Sequence, residues 1–412
     1  MPPPTPLPTP PPPAPPDLPH GQPPREEALW AWGFLIFLFY FMFQAVFYAQ
    51  GYIPFKGACY VTYAYRTLLA GFLFFGLGLW LLPERARRLA GGWGLGLFLA
   101  VTVLYIGVVV ATRPGLALSN DRAEALRIGV TSLLKGQNPY LQRTHLQNPL
   151  SPLTASFLLA LPAQLAFHRP ELMSLPLLAL AFGALAWQRR RAAARIPLAL
   201  LALIVLLNPV LIYELAWGSD LMWGSILIML AVFALDAGWI ALSALALGLG
   251  LCTRTVYFLF VPLWALYVWR QHHAAALRWA LVTAATVLVL ELPLILWNPS
   301  CFFHFAPLGM TAGKLSLATP AGDNLLADAF NHLLPGGAAR STLVSGALLA
   351  LAALSGWRAR NISQLQLGMA VVVMAALFLM GPSFLLDYLD WVLWPLFGVL
   401  VGHAAKDRAP AS

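Results

Sequence analysis

The chain has 412 residues, of which 60% are hydrophobic and only 10% charged, with a formal net charge of +9 and a mean hydropathy of +0.73. These values exclude an ordinary soluble globular protein, because water would have to solvate far more apolar surface than one core can bury. The three cysteines, Cys59, Cys252 and Cys301, lie too far apart for a zinc or redox motif and exclude a disulfide framework. The positive charge sits in short clusters between apolar segments, which predicts membrane topology and no nucleic-acid partner.

In chain order, residues 1–27 read as a disordered cytoplasmic tail: 14 of the 34 prolines fall within the first 24 residues, and such a run is extended and solvated. Residues 28–405 form the membrane domain, and 406–412 a second short cytoplasmic tail. Within the domain, hydropathy predicts spans near 29–50, 60–82, 93–112, 172–188, 197–213, 221–236, 239–252, 255–269, 279–297, 341–356, 365–381 and 384–403. The segment from Pro152 to Phe167 is apolar but short and contains Pro162, and a crossing there would break the alternation of charge. It reads as a re-entrant or interfacial helix. The fold class expected is an all-α polytopic membrane protein of about twelve helices.

Orientation follows from Arg and Lys. Arg85, Arg87 and Arg88, then Arg189 to Arg191 with Arg195, then Arg270 and Arg278, then Arg358 and Arg360, then Lys406 and Arg408, fall at alternate span ends. The positive-inside rule makes that side cytoplasmic, with both termini. The opposite side receives the loop 113–151, the turn from Glu214 to Asp220, the Thr253-Arg254 turn, the loop 298–340, and the turn holding Asp387 and Asp390. Trp30, Trp93, Trp187, Trp279 and Trp297 stand at span ends, where indole prefers the interface.

The first of these loops reads Ser119-Asn120-Asp121-Arg122, then Glu124 and Arg127, then Lys135-Gly136-Gln137-Asn138-Pro139-Tyr140. Taken alone, Asp121 fits a helix N-cap and the later stretch a helix stop with an X-Pro turn. An Asp soon after a span and about fifteen residues before Gly-Gln-Asn-Pro-Tyr also resembles the first extracytoplasmic loop of GT-C glycosyltransferases, in particular their bacterial mannosyltransferase-like branch. Asn208-Pro209 followed by Gly218-Ser219-Asp220, the segment Gly248 to Arg254 with Pro262, and Trp297-Asn298-Pro299 are similar to further motifs of that branch. The loop here follows the third predicted span, and the chain carries no Asp-x-Asp pair.

The resemblance implies a hexosyltransferase of the cell envelope. It would take a polyprenyl-phosphate-linked sugar as donor and a glycan, lipid or protein as acceptor, and would work at the extracytoplasmic face of the cytoplasmic membrane by inverting displacement. Asp121 falls on the catalytic carboxylate, which takes the acceptor proton. Arg254, with Arg122 and Lys135, is assigned to donor phosphate, because guanidinium and ammonium groups offset the charge left on the departing lipid phosphate. Asp220, Glu214, Asn138 and Tyr140 are assigned to orienting the acceptor or supporting the base. No cofactor is implied. His145, His304 and His332 with Asp323 and Asp328 fit no ligand spacing, so a divalent metal is not indicated. The alternative reading is a secondary transporter or lipid flippase. That function calls for ionisable groups near the bilayer midplane, whereas these charges gather in loops.

Overall fold

The computed structural model describes residues 121–191, 218–305 and 337–380, all of which belong to one compact unit. The predicted spans at 29–50, 60–82, 93–112, 197–213 and 384–403, both tails, and most of the loop 298–340 lie outside the described residues. Among the described residues the fold is helical and contains no strand. The one extended pairing is an isolated bridge between Arg143 and Pro149.

The described residues hold nine α-helices: α1 Arg122–Leu134, α2 Thr154–Phe167, α3 Ser174–Arg191, α4 Leu221–Asp236, α5 Ile240–Leu251, α6 Val261–Gln271, α7 His273–Trp297, α8 Gly337–Arg358 and α9 Ile362–Met380. Each predicted span that falls within the described residues overlaps one of them. The span expected at 221–236 matches α4 to the residue. The one expected at 255–269 is divided into a 3₁₀ turn, Thr255–Phe260, followed by α6. Arg254 is extended here, and Pro262 sits in the first turn of α6, where its missing N–H costs nothing.

Side-chain pairs fix the directions. Trp223 donates to Ser174 at 2.9 Å near the starts of α4 and α3, and Gln188 donates to Asp236 at 2.7 Å near their ends, so these two helices run parallel. The tight turn after Asp236 reverses the chain into α5. Alongside α5 runs α7, where Trp279 reaches Ser243 at 3.4 Å and Thr283 reaches the carbonyl of Ala244 at 3.3 Å. The hairpin of α6 and α7 closes on stacked Trp264 and Trp279 rings, 5.9 Å apart and 5° from coplanar. Next to α6 runs α8, with Gln271 donating to the carbonyl of Ala359 at 3.3 Å and the Arg270 guanidinium 4.7 Å from the Trp357 ring centre. The last helix, α9, returns along α8, so that Ala376 packs with Val344 and Leu348.

These directions sort the helix ends into two sets. At one end lie the C-terminus of α3 with Arg189 to Arg191 and the turns that carry Arg270, Arg278, Arg358 and Arg360. At the other end the starts of α1 and α4, the end of α5 and the start of α2 come together, through contacts described below.

Among the described residues two helices are long and apolar enough to cross a membrane, Pro170–Gln188 and His273–Trp297. By contrast α5, with 12 residues, reaches only ~18 Å at 1.5 Å per residue. Close approach of α6 and α8 depends on Gly356, where any Cβ would run into the carbonyl of Leu263. Gly356→Ala is therefore expected to lower stability by about 1–3 kcal/mol, the usual cost of overpacking. Gly346→Ala, with open space around the new methyl, leaves thermal unfolding of the detergent-solubilised protein unchanged or slightly improved.

Candidate functional site

Helix α1 begins at Asp121, but the Asp121 side chain makes no capping hydrogen bond. Its Oδ2 instead accepts from the Thr144 hydroxyl at 2.5 Å and from the Asn148 amide at 2.7 Å. The carboxylate is half-buried and turned toward the loop that follows α1. The next residue, Arg122, reaches across the chain to donate to the Ser219 hydroxyl at 3.3 Å, which also accepts from the Leu221 amide at 3.2 Å. This contact ties the start of α1 to the start of α4.

One residue further, Asp220 is fully buried and takes the Arg254 guanidinium in a two-point pair: Nε donates to Oδ2 at 3.2 Å and Nη2 donates to Oδ1. A third bond runs from Arg254 Nη1 to the Ser151 hydroxyl. Burying two charges is costly, and full pairing with fork geometry is what makes it tolerable. Packing permits the pair because Gly224, one turn into α4, leaves room for the side chains of Thr253 and Tyr257. The Tyr257 hydroxyl then donates to the carbonyl of Leu221 at 2.6 Å, fastening the first turn of α4 to the segment after Arg254.

Helix α2 starts against the same region. Its leading amides have no partner in their own helix, and three are satisfied from outside. Leu153 donates to the carbonyl of Thr253 and Ala155 to that of Cys252, both at 2.9 Å. The Thr154 amide donates to Glu291 Oε1 at 3.2 Å, and its hydroxyl to Oε2 at 2.9 Å. Glu291 thus serves as the N-cap of α2, supplied from α7 across 137 positions of sequence. The Pro152–Phe167 segment is a 14-residue helix seated by its first turn on the ends of two others.

Of the remaining expected site residues, Lys135 separates from this group, and Asn138 and Tyr140 enter the packing beside it. Lys135 is exposed at the C-terminal end of α1, about 20 Å along the helix axis from Asp121 at the standard rise. Asn138 is 3% exposed; its Oδ1 accepts from the Tyr140 amide at 2.9 Å, and its Nδ2 is buried without a partner. Tyr140 is fully buried, donates to the carbonyl of Pro152 at 3.1 Å and meets Phe302 edge-on at 5.6 Å. Burial first, and then the nearby Glu291 carboxylate, holds its phenol well above the ordinary tyrosine range, so it stays neutral. Glu214 lies outside the described residues, as do Asp323, Asp328, His332, Asp387 and Asp390.

Asp121, Arg122, Asp220 and Arg254 are therefore held at one end of the bundle; Tyr140 packs beside the start of α2 at that same end, while Lys135 stands at the opposite end of α1 from Asp121. The partners Thr144, Asn148, Ser151 and Glu291 were not anticipated from the sequence. Small polar loop residues carry no motif, but Glu291 was findable as one carboxylate within a 25-residue apolar helix. No group of three His, Cys, Asp or Glu side chains placed to hold a metal occurs among the described residues. Chemically the arrangement offers a half-buried carboxylate, Asp121, at the end of the bundle that also holds Arg122 and the Asp220–Arg254 pair. No protein family, characterised protein or solved structure matches the chain.

Proposed function

We propose that the chain is a polytopic membrane glycosyltransferase of GT-C type that transfers a sugar from a polyprenyl-phosphate donor to a hydroxyl acceptor at the extracytoplasmic end of its bundle. The observation that carries this reading is the Asp121 carboxylate. It is not spent on capping its helix, and it stands at the same end as Arg122 and the Asp220–Arg254 pair, opposite the basic helix ends.

Three further features support it. The helices α1, α2 and α4 all begin at that end, and helix N-termini favour anions such as a lipid phosphate. Outward positions of α7, among them Leu277, Leu281, Leu288, Val289 and Leu296, are apolar and more than half exposed, as contact with lipid tails requires. The basic residues Arg270, Arg278, Arg358 and Arg360 gather at the opposite end, as the positive-inside rule asks of a cytoplasmic face.

In the proposed reaction the acceptor oxygen attacks the anomeric carbon from the face opposite the phosphate, and its proton passes to Asp121 as the new bond forms. The bond from the anomeric carbon to the phosphate oxygen breaks, and its electron pair leaves with polyprenyl phosphate. In this reading the Arg254 N–H groups beyond those given to Asp220 and Ser151 take the oxygens of the leaving phosphate. Asp220 orients that guanidinium, and Arg122 adds a second positive charge at the start of α1.

One observation favours the rival reading, a transporter or flippase. Glu291 is a buried carboxylate inside an apolar helix, the kind of group that marks ion and substrate pathways. Reconstituted vesicles separate the two: a transferase releases polyprenyl phosphate and a new glycoside, whereas a transporter moves its substrate across the bilayer unchanged.

The orientation has its own test. In intact cells a membrane-impermeant thiol reagent should modify Leu146→Cys, in the exposed loop beside Asp121, and should leave Arg360→Cys, at the basic end, unmodified until the cells are opened. The reverse pattern would place Asp121 in the cytoplasm and remove the extracytoplasmic assignment.

A further inference from the structure

Two turns lie side by side at the basic end, one joining α6 to α7 and the other α8 to α9. From the first, Gln271 donates to the carbonyl of Ala359 in the second at 3.3 Å. Across the same seam the Arg270 guanidinium stands 4.7 Å from the Trp357 ring centre, a contact that holds a cation in place without neutralising it.

Arg270 and Arg278 on one hairpin, and Arg358 and Arg360 on the other, are all exposed. Among the described residues none of the four is in an ion pair. The carboxylate that the described helices bring to this end, Asp236, takes the Gln188 amide at 2.7 Å. Like charges gathered without a counter-charge repel one another, and an anion from outside relieves that cost.

What surrounds the arginines selects the anion. Helix α7 is long and apolar enough to cross a membrane and begins here, so the seam stands at the depth of the headgroups. Approaching the turn along α8, the exposed side chains are Leu354, Trp357 and then Arg358, and α6 ends likewise on exposed Trp269 followed by Arg270. Apolar, indole, guanidinium is the order that suits a phospholipid from acyl chain to phosphate. A soluble anion would use the arginines and leave the leucine and indole surface in water.

We propose that the seam holds an anionic membrane phospholipid, its phosphate shared by Arg270 of one hairpin and Arg358 of the other, and its upper acyl chain against Trp357 and Leu354. Arg278 and Arg360 add charge that favours an anionic headgroup over a zwitterionic one. The lipid thereby joins α6–α7 to α8–α9, and binding to the folded state stabilises it. The site rests on the chain being a membrane protein and is independent of sugar transfer.

The test titrates full-length protein in detergent with phosphatidylglycerol or phosphatidylcholine and follows binding by native mass spectrometry. The first phosphatidylglycerol is expected to bind at least ~10-fold more tightly than phosphatidylcholine. Arg270→Gln with Arg358→Gln should remove that preference, since two surface arginines are worth about that much toward an anionic lipid. Arg127→Gln, at an exposed position of α1, should keep it. Equal binding of the two lipids by the parent protein, or a preference that survives in the double variant, would overturn the site. So would displacement of bound phosphatidylglycerol by excess inorganic phosphate, which would mark a site for a free anion.

A photoactivatable phosphatidylglycerol locates the site without any substitution. Adducts are expected within 269–278 and 354–360, and adducts confined to other segments would contradict the assignment. Recovery of the protein in solution without detergent would overturn the membrane reading and the lipid site with it, whereas a detergent-requiring protein with no lipid preference overturns the site alone.

Discussion

Asp121→Asn is expected to lower turnover by roughly 10²–10⁴-fold, the range set by losing a general base, with donor affinity close to that of the parent protein. The substitution is nearly isosteric, and an amide oxygen placed where Oδ2 stands can still accept from Thr144 and Asn148. The loop after α1 and the start of α1 therefore stay in place, and only the capacity to take a proton is lost. Because Asp121 makes no capping bond, a fall in rate cannot be blamed on an unravelled helix end. Steady-state rates with saturating donor and acceptor, alongside direct donor binding, provide the check. A near-parental rate would move Asp121 out of the chemistry and leave it as an anchor for Thr144 and Asn148 of the loop after α1.

The second large effect falls on stability. Asp220→Ala leaves the Arg254 guanidinium buried with Ser151 as its remaining partner, and removing one half of a buried pair costs about 3–5 kcal/mol. The double variant Asp220→Ala with Arg254→Ala removes the stranded charge and should recover a large part of that loss. Arg254→Lys keeps the charge but cannot span both oxygens of Asp220, so it should fall between the two. Thermal unfolding of the four proteins in one detergent gives the ordering. If Asp220→Ala alone unfolds at the parental temperature, the pair is solvated and contributes little to holding α4 against the segment after α5. Donor binding that survives in Arg254→Ala at parental affinity would separately release Arg254 from the phosphate.

The helices were legible in the sequence because an apolar run bounded by Gly, Pro or Arg leaves little choice, and the end of α4 at Asp236 and Gly238 is a clear case. The 3₁₀ turn before α6 was not legible. Hydropathy averages over Thr255–Phe260 and cannot see that Arg254 must stay extended to reach Asp220. That the helix ends bearing Asp121, Asp220 and Arg254 lie together, tied by Arg122 and Ser219, was legible from charge alternation. Their partners were not, since Thr144, Ser151 and Asn148 are chosen by where the loop folds. Lys135 was grouped with them by nearness in sequence, and the length of α1 separates it. Asn138 and Tyr140 were read as polar site groups, yet the aromatic ring and the local Asn-to-amide bond pull that stretch into the packing between α2 and the turn at Cys301.

The central claim is that this helical bundle transfers sugar from a lipid phosphate, and the most direct measurement follows the fate of the carrier. Purified full-length protein in lipid is incubated with a panel of polyprenyl-phosphate sugars labelled in the lipid, with and without a soluble glycan acceptor, beside the Asp121→Asn variant. Release of labelled polyprenyl phosphate that requires one particular sugar, rises with acceptor and is lost in the variant is the predicted result. Transmembrane movement of an intact donor, or release that Asp121→Asn leaves unchanged, would contradict it.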